Sequence, residues 1–93
     1  MVVTLSFQAM SWALKQPVKT AEKLLLLVIA NYADEQGRAW PSVETLARDT
    51  GMSRTSVKRT MKKLEDTGFI RRQKRVKGYL QTSNLYTLKG GFS

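Results

Sequence analysis

Ten Lys and Arg residues and only two acidic ones fall between Ser53 and Lys77, while the rest of the 93-residue chain is nearly neutral. Charge of one sign packed into one segment attracts polyanions and is the footprint of a phosphate-binding face; a merely solvated surface mixes signs. The same sequence removes other chemistries. It holds no His and no Cys, so disulfides, thiol nucleophiles, His/Cys zinc sites and imidazole acid–base catalysis have no side chains to carry them. Its seven carboxylates are scattered, and the adjacent pair Asp34-Glu35 lies in a polar turn without further ligands. No catalytic set, metal site or cofactor is therefore expected, and an enzyme acting on nucleic acid is the least supported reading.

The elements that must position those cations can be read from periodicity and caps. Ser53 caps a helix over 53–67 with Val57, Met61 and Leu64 on one stripe, and Gly68 stops it after Thr67. At 100° per residue, Thr55, Arg59 and Lys62 project from the opposite face, with Arg54, Ser56 and Lys58 on its flanks. Just upstream, Ser42 caps a helix with Val43, Leu46 and Ala47 along one face, closed by Gly51 after Thr50. In LARDTGMSRTSV the small Ala47 allows two helices to approach, Gly51 frees the backbone for a tight turn, and Val57 packs the second helix back on the first. Leu46 and Met52 fill the remaining inward positions. This spacing is a helix-turn-helix signature.

Before that pair, apolar residues surround a helix over 21–32, as suits a central helix covered on most sides, with Thr20 as its N-cap and Asp34–Gly37 as its stop. A short helix over Ser6–Lys15 places Phe7, Met10 and Leu14 at helical spacing, where they either pack on the central helix or form a dimer surface; Gln16-Pro17 ends it. The longest apolar run, Leu24–Ala30, is far short of the ~20 residues that span a bilayer, and the N-terminus lacks a signal pattern, so a cytoplasmic protein with no membrane partner is expected. After Gly68 the period changes. Phe69, Ile70 and a basic run to Lys77 form one strand, Gln81–Asn84 a polar turn, and Leu85–Leu88 a second strand.

The expected fold is mainly α with a small β-hairpin: a winged helix-turn-helix, built from a three-helix core and a two-stranded wing with an extra short N-terminal helix. It is read as a single domain over 1–93 with 90–93 a flexible tail. A recognition helix reads base edges with its N-terminal part, which assigns Arg54, Thr55, Ser56, Lys58 and Arg59 to bases of double-stranded DNA, with Arg59 the choice for guanine. Phosphate contacts fall to Ser42, Thr45, Ser53, Lys62 and Lys63 on the helices. On the wing they fall to Arg71, Arg72, Lys74, Arg75 and Lys77, and to the turn residues Gln81, Thr82, Ser83 and Asn84. Trp12, Trp40 and Tyr86 are read as packing residues.

At this point the chain resembles the winged helix-turn-helix domains of phage and plasmid replication initiation proteins and related small prophage regulators. The resemblance runs from about Trp12 to Leu88. It is carried by NYADEQGRAWPSVETLARDTGMSRTSVKRTMKKLEDTGFIRR and QTSNLYTL, with Gly37-Arg38-Ala39-Trp40-Pro41-Ser42 leading into one helix and Gly68-Phe69-Ile70 leaving the next. It implies sequence-specific DNA binding, in a replication-origin-binding or regulatory role; a transcriptional repressor of the same fold is the alternative. Tight binding to a repeated or palindromic site then calls for a homodimer or several copies. A protein-docking module would instead need an exposed apolar patch on the helix over 53–67 or on the hairpin, and the sequence shows none there. RNA binding through the same basic face is a further alternative, although the strands lack the aromatic platform that stacks single-stranded bases.

Overall fold

Caps and glycines set the helix boundaries. In the computed structural model the Ser42 and Ser53 hydroxyls accept the N–H groups of Thr45 and Ser56 at 3.1 Å, starting α3 (Val43–Thr50) and α4 (Arg54–Asp66). Gly51 ends α3 at φ +77°, and Gly68 follows α4 at φ +86°, a backbone region that residues with a Cβ adopt only under strain. Around Gly68 the N–H of Phe69 donates to the Leu64 carbonyl at 2.9 Å and that of Gly68 to Glu65 at 3.1 Å. That pattern closes a helix and throws the chain into a strand. The structure describes residues 2–74, 76–77, 80–81 and 84–90; for 2–6, 76–77 and 80–81 it describes the backbone alone.

Two further helices precede this pair, α1 (Val2–Leu14) and α2 (Thr20–Asn31). α1 begins earlier than the sequence pattern suggested. Thr20 is not a cap: it is the first helical residue, the cap position is Lys19, and no side chain closes it. α2 is the hub, packing on α1, α3 and α4, and buries Leu25, Leu26, Ile29 and Ala30. Against α2, α1 buries Ala9 and Ala13 and leaves Phe7 and Leu14 exposed. The small alanines occupy the buried positions, Met10 and Trp12 pack partly buried against the core, and Phe7 and Leu14 turn outward. Among the described residues, no helix is long and apolar enough to cross a membrane.

The wing is more elaborate than a two-stranded hairpin. β1 (Arg38–Ala39), β2 (Ile70–Gln73) and β5 (Leu85–Leu88) form an antiparallel sheet in the order β1-β5-β2, while β3 (Val76–Lys77) pairs with β4 (Leu80–Gln81) beyond it. β1 is the unexpected strand. Two residues have no period to read, and their strand exists because Tyr86 and Thr87 of β5 offer a free edge opposite Ala39 and Arg38. The loop before β1 is held by Asp34, whose carboxylate accepts the N–H groups of Gln36 and Arg38 at 2.9 Å. Burial pushes the Asp34 carboxyl upward, but those two N–H groups and the Arg38 guanidinium outweigh it and hold the group below its ordinary value. Gln81 lies in a strand with Lys77 opposite Leu80, so the reversal of the wing comes before Gln81, not at Gln81–Asn84.

Candidate nucleic-acid interface

The inward stripe of α4 is Val57, Thr60, Met61 and Leu64, all buried. Thr60 is the one the apolar pattern missed. Its position three residues after Val57 and four before Leu64 was the available signal, but a hydroxyl does not register in a hydrophobic pattern. With that stripe fixed, helical geometry turns Thr55, Arg59 and Lys62 directly outward. Thr55, Lys58, Arg59, Lys62 and Lys63 are all exposed, so the outer face of α4 is a ridge about 20 Å long, of a width that a major groove admits.

The cations are not equivalent. Lys62 pairs with Asp66 at 3.6 Å and Arg54 with Glu44 at 3.5 Å, both exposed, and exposed pairs of this kind exchange readily with water or a phosphate. Among the described residues, no carboxylate lies within ion-pair distance of Lys58, Arg59, Lys63, Arg71 or Lys74. Arg72 is different. The register sets it opposite Tyr86, on the core-facing side of the sheet with Ile70 and Leu88, and its guanidinium reaches Glu65 at 3.1 Å. It ties the end of α4 to the wing, while its neighbour Arg71 stands on the outer face opposite Thr87.

Both helix starts repeat one hydroxyl arrangement. Ser42 Oγ donates to Thr45 Oγ1 and Ser53 Oγ to Ser56 Oγ, each at 3.0 Å, so both cap hydroxyls are occupied as donor and acceptor. Thr45 and Ser56 are left with the protons that can donate outward. Asn84 is half-buried beside β5 and, with Lys58, Arg72 and Tyr86, lines a cavity of about 160 Å³ between α4 and the sheet. Burial raises the Tyr86 hydroxyl above its ordinary pKa. Trp12 packs against the core as read, whereas Trp40 is 48% exposed because it precedes α3 at the rim of the sheet. Arg75, Thr82 and Ser83 lie outside the described residues, as do the side chains of Lys77 and Gln81.

The arrangement of α3, turn and α4 has a counterpart among known proteins. A helix-turn-helix domain family matches residues 19–70, more than half of the chain. The chain belongs to that family. The matched span opens at the start of α2 and closes at the first residue of β2, so it contains the whole helix-turn-helix and leaves α1 and the outer wing to this domain's own sequence. The helix-turn-helix domain is also 30% identical over 61 residues to Protein YmfN of Escherichia coli (strain K12), which covers 66% of this chain and 13% of that protein. It thus spans about one eighth of that relative's length. No solved structure matches it. Helix-turn-helix domains are DNA-binding units, and in this one α4 occupies the recognition position.

Proposed function

We propose that the chain is a sequence-specific binder of double-stranded DNA, serving as an origin-binding domain of a replication initiator or as a small phage or plasmid regulator. The observation that carries it is the outer face of α4, where Thr55, Lys58 and Arg59 stand exposed, the two cations without a carboxylate partner among the described residues, on a helix locked by caps at both ends. The N-terminal half of α4, with Arg54, Thr55, Ser56, Lys58 and Arg59, reads base edges in the major groove; Arg59 reaches guanine as a bidentate donor. Lys62, Lys63, Arg71 and Lys74 hold phosphates, joined by Arg75 and Lys77 of the wing. Thr45 and Ser56 donate from the two helix starts, where exposed backbone N–H groups also favour an anion.

The chain acts as one binding unit and not as an enzyme. Five of its seven carboxylates, Asp34, Glu44, Asp49, Glu65 and Asp66, are engaged by arginines or lysines, which suits electrostatic tethers better than general bases. The initiator or regulator role draws on the resemblance of the stretch from Trp12 to Leu88.

Selection from a random duplex library tests the reading. An enriched sequence should emerge that outcompetes a scrambled duplex by about a thousandfold at physiological salt. Recovery of no preferred sequence would overturn it in favour of docking to another partner through the same basic face. A second test uses the tether on the wing. Glu65→Gln should cost less than about 1 kcal/mol of stability, because the pair is partly exposed, yet raise DNA affinity a few-fold at low salt by freeing Arg72 and removing a negative charge. Thermal denaturation and binding titrations of the same variant read both effects.

A further inference from the structure

Alternation along β1 turns Arg38 outward and buries Ala39 opposite Tyr86, and one residue further it turns Trp40 out again. Pro41 follows and confines the Trp40 backbone to extended geometry. Ser42 then caps α3, so the indole projects from a short segment held at both ends. Its surroundings are the crevice between α4 and the wing. Three residues on, Val43 lines the same cavity as Lys58 of α4 and Asn84 at the root of the wing. Glu44, next in α3, reaches Arg54 at the start of α4 at 3.5 Å. Continued by one rung, the register that pairs Arg38 with Thr87 and Ala39 with Tyr86 brings Trp40 level with Leu85, the first residue of β5. The indole, 48% exposed, therefore stands where the start of α3, the N-terminal half of α4 and the root of the wing converge.

We infer that Trp40 lies against the sugar–phosphate backbone of the duplex, its ring on the C–H edge of a deoxyribose. The inference rests on the duplex reading of α4 and adds to it a contact of another kind. Position selects the occupant. A duplex that engages Arg54 and Lys58 on one side and the wing on the other passes over the segment between them, where Trp40 is displayed. The chemistry agrees. The side chains assigned to the backbone are cations and hydroxyls, which meet phosphate oxygens, and the C–H rim of a sugar stays wet unless an apolar surface covers it. An indole is large, amphipathic and stiff, with two side-chain torsions to lose, so it adds affinity at an interface at little entropic cost. A contact with a sugar carries no sequence information and releases no counterion. Trp40 therefore raises affinity for every duplex by the same factor and leaves sequence preference and salt dependence to α4 and the cations.

Binding of Trp40→Ala to a selected and a scrambled duplex across a salt series tests this. Both affinities should fall roughly tenfold, with the ratio between the duplexes and the log–log salt slope unchanged, whereas loss of a phosphate-binding cation such as Lys74 lowers the slope by about one. Trp40→Phe should recover most of the loss, since a ring remains. Acrylamide quenching of intrinsic fluorescence gives a second readout on the unmodified chain. Duplex binding should shield the exposed Trp40 of wild type, while in Trp40→Phe the remaining Trp12, packed against the core, should be quenched equally with and without DNA. Wild-type affinity in Trp40→Ala, a loss confined to the selected duplex, or a Trp40 as open to acrylamide in the complex as in the free protein overturns the inference and leaves the duplex reading standing. A wild-type chain that binds no duplex overturns both.

Discussion

Affinity for duplex DNA should fall about a thousandfold as salt rises from ~50 to ~200 mM, with a log–log slope of about −5. The magnitude follows from the side chains available. Lys62, Lys63, Arg71 and Lys74 are exposed on α4 and the wing, Arg75 and Lys77 follow in the same basic run, and each phosphate neutralised releases most of one condensed counterion. Arg72 is left out of that count because Glu65 holds it at the core-facing side of the sheet. Anisotropy titrations across a salt series give the slope directly. A slope shallower than about −2 would mean that the cations do not meet the DNA backbone.

Leu64→Ala should cost about 2–5 kcal/mol, a large part of the ~5–15 kcal/mol that holds a domain of this kind together. Leu64 is fully buried on the inward stripe of α4, and its carbonyl accepts the Phe69 N–H that turns the chain into β2. The side chain therefore seats the recognition helix on α2 at the point where the wing begins. In a chain this short each kcal/mol moves the midpoint of thermal unfolding by roughly 4–8 °C, so a drop of at least about 8 °C is expected by circular dichroism. An exposed position on the same helix, such as Lys63→Ala, should change the midpoint by no more than ~0.5 kcal/mol's worth. A Leu64→Ala variant as stable as the parent would contradict the packing described for α4.

Much of this was legible because it is written locally. Ser42 and Ser53 announce helix starts and Gly51 and Gly68 helix ends, since each solves a backbone problem that its own neighbours create. The stripe of Val57, Met61 and Leu64 needs only helical spacing, and from it the outward placement of Thr55, Arg59 and Lys62 follows. What was not legible depends on distant partners. β1 exists because β5 has an edge to offer, and two residues carry no period. The alternation of the basic run shows that some cations turn inward, but only the pairing of β2 with β5 picks Arg72 over Arg71. On α1, Phe7, Met10 and Leu14 and the pair Ala9 and Ala13 are each spaced as a helical face; packing on α2 buries the alanines and part of Met10 and leaves Phe7 and Leu14 outside. The sequence pattern also placed the wing turn too late, because polarity marks Gln81–Asn84 while the strand pairing recruits Gln81.

The central claim is that α4 reads sequence while the wing grips the backbone, and the most direct test compares two variants on two duplexes. Binding of wild type, Arg59→Ala and Lys74→Ala to a selected and a scrambled duplex would be measured by anisotropy at one salt concentration. Arg59→Ala should remove about 1–3 kcal/mol of the preference for the selected duplex, while Lys74→Ala should weaken both duplexes alike and leave the ratio intact. A ratio that survives Arg59→Ala unchanged, with both affinities reduced equally, would contradict the assignment of α4 as the element that reads sequence.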